Sequence, residues 1–103
     1  MKKYSGLSDA QITVIQIYED LIEKAVASWT RSNNDPDAVD YSDTYYNKAQ
    51  AILQVAAEGY DARVTLDRGV GLYPTIELDM EDKHYCEYTA VNFFLRLVGW
   101  YER

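Results

Sequence analysis

The spacing of hydrophobic residues predicts two helices in the first sixty positions of the chain. Apolar residues recur every three or four positions across residues 8–31, which is typical of a helix with one buried face. Ser8 and Gln11 fit a capping box at its start. A second helical pattern begins at Ser42, after a loop rich in Asn, Asp and Ser, and Gly59 is placed as its C-terminal cap.

The pattern then changes to alternation of apolar and polar residues. Residues 60–67 and 72–80 alternate in this way on either side of a turn with two glycines, which predicts an antiparallel β-hairpin. Pro74 has no amide hydrogen and is therefore expected at a sheet edge. Residues 82–102 return to helical spacing, and their predicted apolar stripe consists of Tyr88, Val91, Leu95 and Val98, supported by Phe94 and Tyr101. The predicted fold is α+β, a single domain over residues 1–103, with three helices packed on a two-stranded antiparallel β-hairpin in the order ααββα.

Two features of this predicted fold favour self-association. A lone hairpin has two open edges and is marginally stable. Pairing with a second copy would give a four-stranded sheet. The apolar stripe of the first helix is also wide, because Val14, Ile17 and Leu21 extend it. We therefore expect a homodimer or another small oligomer.

Composition and charge narrow the classes of partner. Hydrophobic residues make up 48% of the chain, enough for a core, and the formal charge is −7 from 17 acidic and 10 basic residues. A chain this acidic, without a concentrated basic segment, is a poor candidate for direct binding to nucleic acid, and anionic membranes would repel it. A single cysteine excludes an internal disulfide, and we find neither a signal-peptide pattern nor an apolar run of membrane-spanning length. The expected location is cytoplasmic.

The segment "DMEDKHYCEY", residues 79–88, holds the chain's only histidine, His84, and its only cysteine, Cys86. We interpret it as the acidic start of the third helix, where the helix dipole favours negative charge. Two residues apart on a helix, these side chains point about 200° apart around the axis, so one ion could not bind both. On a strand they would share a face, but the helical pattern argues against a strand. A zinc site also uses three or four nitrogen or sulfur ligands, and the chain has no second histidine or cysteine. We expect no metal site and no cofactor.

Other candidate motifs fail on their key residues. "NNDPDAVDYSDT" has Ala38 where a calcium loop needs glycine and Thr44 where it needs glutamate. "RGVG" lacks the third glycine and the following helix of a dinucleotide-binding fingerprint. The sequence shows no serine or cysteine nucleophile beside a histidine. We therefore expect that the protein is not an enzyme.

Tyrosine is the more informative residue type, with ten in the chain, several beside carboxylates. Tyr45 and Tyr88 fit the apolar stripes and are assigned to the core, while the others near carboxylates are expected at the surface. Exposed tyrosine with carboxylate suits an arginine-rich partner, by ion pairing and cation–π contact. The residues predicted to contact that partner are Asp35, Asp37, Asp40, Tyr41, Asp43, Tyr46, Glu77, Asp79, Tyr85 and Glu87.

These observations lead to a functional hypothesis. We expect a small acidic interaction protein that binds and blocks a basic, nucleic-acid-binding protein without contacting nucleic acid or membrane itself. Acidic inhibitors from phages and mobile elements, such as DNA mimics and anti-CRISPR proteins, are similar in size and charge, as are immunity proteins for nuclease toxins. This similarity is an analogy and rests on no sequence motif. The alternative is a homo-oligomer that holds a small molecule between its subunits.

Overall fold

The computed structural model of the chain describes residues 6–69 and 71–99. Within these residues the chain forms three helices and three strands in the order ααβββα. Their bounds are α1 Asp9–Asn34, α2 Ser42–Glu58, β1 Arg63–Asp67, β2 Thr75–Met80, β3 Lys83–Glu87 and α3 Ala90–Leu97. The α+β class is confirmed. The predicted two-stranded hairpin is wrong, because the sheet in the described part of the chain has a third strand.

The start of α1 is the predicted capping box. The Gln11 backbone N–H donates to Ser8 Oγ at 3.1 Å, and the Ser8 backbone N–H donates to Gln11 Oε1 at 2.9 Å. These two bonds satisfy backbone donors that a helix start leaves without helical partners. None of the described helices is long and apolar enough to cross a bilayer.

The core lies between the helices and one face of the sheet. α1 packs on α2, α2 packs on β1, and α3 packs on α1, β2 and β3. The largest fully buried side chains are Phe93, Phe94, Ile15, Leu53, Ile76 and Leu78. Each such side chain contributes roughly 1.5–3 kcal/mol by its burial.

The central strand of the sheet is β2, which pairs antiparallel with β1 and with β3. Val64 lies opposite Leu78, which in turn lies opposite Tyr85, and this row faces the helices. Because successive residues of a strand point to opposite faces, the neighbouring positions form an outer face that the helices leave uncovered. That outer face carries Arg63, Thr65, Asp67, Thr75, Glu77, Asp79, His84 and Cys86.

Side chains of α2 close the outer edge of β1. The backbone N–H groups of Val64 and Leu66 donate to Gln54 Oε1 at 2.8 Å and to Gln50 Oε1 at 2.9 Å. Gln54 Nε2 also donates to the Ala62 carbonyl at 3.2 Å. The prediction of two open edges is therefore wrong. Among the described residues, the strand left with one open edge is β3.

The largest correction concerns residues 82–89, predicted as helix. Asp82 lies in a turn, and residues 83–89 form β3 and the approach to α3, which begins at Ala90 with Thr89 as its N-cap. A two-residue turn, Glu81 and Asp82, joins β2 to β3, and both residues have positive φ, 52° and 63°. Two left-handed residues in succession are typical of the type I′ turn that joins antiparallel strands. Pro74 was also misplaced, since it is buried and immediately precedes the central strand.

The buried side of α3 also differs from the prediction. Its buried residues are Ala90, Phe93, Phe94 and Leu97, whereas Leu95 and Val98 of the predicted stripe are half-buried. Tyr88 was assigned to the core, but 78% of its surface is exposed. Tyr101, also placed in that stripe, lies outside the described residues. The predicted stripe began at Tyr88, which precedes the helix, whereas the face that packs on α1 and the sheet is offset from it by one residue, about 100° around the axis.

Candidate functional site

The acidic segment, defined here as residues 35–43, lies at the exposed junction of α1 and α2. Asp35 Oδ1 accepts from the Asp37 backbone N–H at 3.0 Å, and Asp40 Oδ1 accepts from the Ser42 backbone N–H at 2.8 Å. Hydrogen bonding by the side chain and backbone of Ser42 lowers the pKa of Asp40. Two of the predicted contact residues therefore shape the loop and the start of α2, while their carboxylates remain exposed.

The C-terminal end of this segment is neutralised within the chain. Asp43 forms an ion pair with Arg68, whose guanidinium carbon lies 4.9 Å from the centroid of the Tyr46 ring. Tyr46 is only 6% exposed and donates its hydroxyl hydrogen to the Leu72 carbonyl. Burial raises its pKa. The expectation that Tyr46 is an exposed contact residue is wrong, because this side chain fixes the β1–β2 loop against α2.

The side chains of Tyr85 and Glu87 also face the interior of the protein, where Tyr85 is half-buried and Glu87 is buried. They occupy inward-facing positions of β3, and Glu87 is only 8% exposed. Arg96 of α3 donates from Nε to Glu87 Oε1 at 3.2 Å, and its guanidinium carbon lies 4.3 Å from the centroid of the Tyr85 ring. These contacts join α3 to the sheet, so the prediction that Tyr85 and Glu87 are surface residues is wrong.

Glu77 and Asp79 lie on the outer face of the sheet, where β3 places His84 and Cys86 beside them. His84 Nδ1 is 2.6 Å from Asp79 Oδ1, and His84 Nε2 is 3.2 Å from Glu77 Oε1. The hydrogen bond with Asp79 is the largest influence that raises the pKa of His84. The predicted opposite placement of His84 and Cys86 is therefore wrong, because the strand gives both side chains one face.

A groove that the sequence did not reveal lies between α1 and the end of the sheet where β2 begins and β3 ends. It has a volume of about 190 Å³. We call it the tyrosine groove and define it by Glu19 and Glu23 of α1, Tyr73 before β2 and Tyr88 after β3. Tyr73 is 70% exposed and Tyr88 is 78% exposed. These are the largest exposed fractions among the tyrosines that the structure describes.

The tertiary structure brings these side chains together. Glu19 and Glu23 are one helical turn apart, so they lie on the same side of α1. The antiparallel register of β2 with β3 pairs Ile76 with Glu87, which brings the start of one strand beside the end of the other. Tyr73 lies two residues before β2 and Tyr88 directly after β3, so this register places the two tyrosines close together. The sequence alone shows only the i, i+4 spacing of the two glutamates. The register depends on β3, which the sequence pattern does not predict.

The two carboxylates of the groove are not used in ion pairs within the described part of the chain. Among the ion pairs of residues 6–69 and 71–99, none involves Glu19 or Glu23. The nearby Lys24 is paired instead with Asp20 at 3.0 Å. Two exposed aromatic rings beside two carboxylates form an arrangement that can accept a guanidinium group, by hydrogen bonding to oxygen and stacking on a ring.

Comparison of the chain with protein families, curated proteins and solved structures gave no match. The contacts and charges of the described residues make the tyrosine groove a surface suited to recognition of a cationic side chain.

Proposed function

We propose that this protein is a small acidic interaction protein that binds a basic protein partner and blocks it. The observation that carries the proposal is the tyrosine groove, with two exposed tyrosines beside two carboxylates outside any described ion pair. An arginine of the partner would place its guanidinium against Glu19 or Glu23 and stack on Tyr73 or Tyr88. Arginine suits such a site better than lysine, because its planar group both stacks and forms paired hydrogen bonds.

The proposed partner is a nucleic-acid-binding protein. Such proteins expose arginine and lysine for contact with phosphates, and a chain with a net charge of −7 competes for the same side chains. Occupying them would block nucleic-acid binding without a catalytic step, and without contact between this chain and nucleic acid or membrane.

The acidic segment has a secondary part in the proposal. Asp35, Asp37 and Asp40 are exposed, and no ion pair among the described residues includes them. Charges of this kind contribute little individually to affinity, but together they steer a basic partner during encounter. We therefore assign anchoring to the tyrosine groove and attraction at a distance to the acidic segment.

Self-association is a further part of the proposal. The capped edge of β1 leaves β3 as the strand through which a second copy would extend the sheet. Light scattering over a concentration series measures it. We expect a mass above 11.9 kDa at high micromolar concentration, and a mass that stays at 11.9 kDa would contradict this part alone.

The binding proposal can be tested with a fluorescently labelled arginine-rich peptide, followed by anisotropy at low and high salt. The double variant Glu19→Gln/Glu23→Gln removes two charges from the groove. Glu58→Gln/Asp61→Asn is the matched control, since it removes two exposed charges elsewhere. We expect the groove variant to lose at least tenfold in affinity and the control to lose about twofold, as exposed charges individually contribute little.

Two further comparisons sharpen the test. Tyr73→Ala/Tyr88→Ala leaves the net charge unchanged and should also lose about tenfold, because stacking on the rings is removed. A lysine peptide of equal length should bind the parent more weakly than the arginine peptide. Equal losses in the groove and control variants, with no preference for arginine, would show nonspecific charge attraction and overturn the proposal.

A further inference from the structure

The outer face of the β2–β3 hairpin brings three different ligand types together. Glu77, His84 and Cys86 each offer one ligand atom, and these three atoms lie within 4.8 Å of one another. Glu77 lies directly opposite Cys86 in the strand register, while His84 is two residues before Cys86 on the same face. The cluster is therefore set by the backbone of two paired strands. It is separate from the tyrosine groove and does not rest on the proposed function.

Two of the three distances between these atoms, those from the His84 nitrogen, match the edges of a tetrahedral zinc site, and all three are within 4.8 Å. Zinc binds nitrogen at about 2.0–2.1 Å, oxygen at about 2.0–2.2 Å and sulfur at about 2.3 Å. At tetrahedral angles these lengths place nitrogen about 3.4 Å from oxygen and about 3.6 Å from sulfur. In the structure, His84 Nε2 lies 3.2 Å from Glu77 Oε1 and 3.6 Å from Cys86 Sγ. An ion can therefore enter with small side-chain adjustments.

Asp79 supplies the orienting contact that metal-bound histidines usually have. Its Oδ1 lies 2.6 Å from His84 Nδ1, so it accepts a hydrogen bond from the Nδ1–H tautomer. That tautomer leaves Nε2 with its lone pair directed away from Asp79 and toward the other two ligands. A carboxylate behind a histidine in this way fixes the ring and increases its strength as a ligand.

The neighbouring surface also favours a cation. A broad depression of about 860 Å³ adjoins Asp79 and His84 at the turn end of the hairpin. Its acidic lining residues, which outnumber the cationic Arg63 and Lys83, are Glu58, Asp61, Asp79, Glu81 and Asp82. A concave surface lined mainly by one sign of charge raises the local concentration of counter-ions.

From this geometry we propose that Glu77, His84 and Cys86 form a binding site for Zn²⁺, with Asp79 as the positioning residue for His84. Cys86 binds as a thiolate, and its proton passes to solvent. Glu77 binds as a carboxylate and His84 through neutral Nε2. All three ligands lie on the uncovered face of the sheet, so the fourth position is open to water. The ion joins β2 to β3 and stabilises the hairpin.

The full chain, freed of metal by a chelator and kept reduced, can be titrated with Co²⁺ as a spectroscopic probe and then with Zn²⁺. We expect a thiolate-to-cobalt charge-transfer band that saturates at one ion per chain and disappears when Zn²⁺ displaces the probe. Cys86→Ser should abolish the band, and His84→Ala should weaken binding at least tenfold. Asp79→Asn should weaken binding about 10–100-fold, as for other carboxylates that accept a hydrogen bond from a metal-bound histidine.

The matched control is Asp67→Asn, which changes a carboxylate on the same face of the sheet but in β1. We expect it to bind as the parent does. Zn²⁺ should also raise the melting temperature of the parent and of Asp67→Asn, but not of Cys86→Ser, because a ligand of the native state stabilises it. All of these side chains are exposed or half-buried, so the variants should fold, and circular dichroism checks this.

Two results would overturn the proposal. One is a parent protein that shows no thiolate band at stoichiometric Co²⁺. The other is a His84→Ala variant that binds both ions as tightly as the parent. In the first case the cluster would be only an exposed ion pair of His84 with Asp79 and Glu77, and in the second the ion would bind through ligands other than His84.

Discussion

The acidic segment concentrates four aspartates within nine residues, whereas the tyrosine groove draws its glutamates and tyrosines from three separate parts of the chain. In the acidic segment, two aspartates accept backbone hydrogen bonds and Asp43 pairs with Arg68. In the groove, both glutamates lie outside the described ion pairs, and both tyrosines are largely exposed. A dense cluster of charge in a sequence is therefore a weaker guide to a site than the contacts that each side chain already makes within the protein.

The loss of stability should differ most between Tyr46, which lies in α2 just after the acidic segment, and the two groove tyrosines. Tyr46→Ala removes a ring that is 6% exposed and should destabilise the protein by about 3–4 kcal/mol, the range for large core residues. Tyr73→Ala and Tyr88→Ala should each change stability by less than about 0.5 kcal/mol. Urea unfolding measures all three. Equal losses of stability would show that the groove tyrosines are structural, which would contradict the comparison.

The next effect separates two arginine–carboxylate pairs. Arg96→Met leaves the buried Glu87 carboxylate without the guanidinium and should cost about 2–4 kcal/mol. Arg68→Met affects a pair in which Asp43 is 79% exposed, and it should cost less than about 1 kcal/mol. Thermal unfolding near neutral pH compares the two variants. A larger loss of stability for Arg68→Met would mean that the Asp43–Arg68 pair contributes more to stability than its exposure indicates.

The turn between β2 and β3 offers a stabilising change. Glu81→Asn/Asp82→Gly places residues that favour a type I′ turn at two positions with positive φ. We expect a gain of about 1 kcal/mol, or roughly 4–8 °C in melting temperature for a domain of this size. Affinity for the arginine-rich peptide should fall by no more than about twofold, as for the other removal of two exposed charges outside the groove, since the turn lies at the opposite end of the hairpin from Tyr88. A loss of stability would contradict the turn geometry.

The smallest effect concerns the acidic segment itself. Asp35→Asn/Asp37→Asn should lower the association rate of the arginine-rich peptide by about twofold at low salt, because exposed charges act mainly on encounter. The difference should disappear at high salt, where such charges are screened. Stopped-flow fluorescence measures the rates. A change confined to the dissociation rate would mean that the segment is a direct contact surface.

The sequence was most informative where local patterns decide the structure. The capping box at Ser8 and the start of α2 at Ser42 depend on residues close together in the chain, and both were predicted correctly. The alternation of Val64, Ile76 and Leu78 likewise identified two strands. These elements bury apolar residues at the period of their own secondary structure, which is what the pattern reports.

The sequence pattern did not predict β3, for two physical reasons. Its inward positions are Lys83, Tyr85 and Glu87, and Glu87 is buried only because α3 supplies Arg96. The strand therefore lacks the apolar alternation of a half-buried strand. The turn that joins β2 to β3 also lacks the asparagine and glycine that are typical of a two-residue hairpin turn.

Both candidate sites depend on this missed strand. The groove brings Tyr88 beside Tyr73, and the cluster brings Cys86 opposite Glu77, only through the pairing of β3 with β2. Such neighbours are distant in sequence and have no periodic signal. The exposure of Tyr73 and Tyr88 was equally hidden, because an isolated tyrosine fits both a core and a surface position.

The most direct measurement is a map of backbone amide chemical shifts of the ¹⁵N-labelled protein during titration with the arginine-rich peptide. We expect the largest shifts along residues 18–23 and at Tyr73, Tyr88 and Thr89, the residues around the tyrosine groove. Residues 35–43 should shift little and lose even that response at high salt. Shifts centred on residues 35–43, with the groove unaffected, would contradict binding at the tyrosine groove. The binding surface would then be the acidic segment.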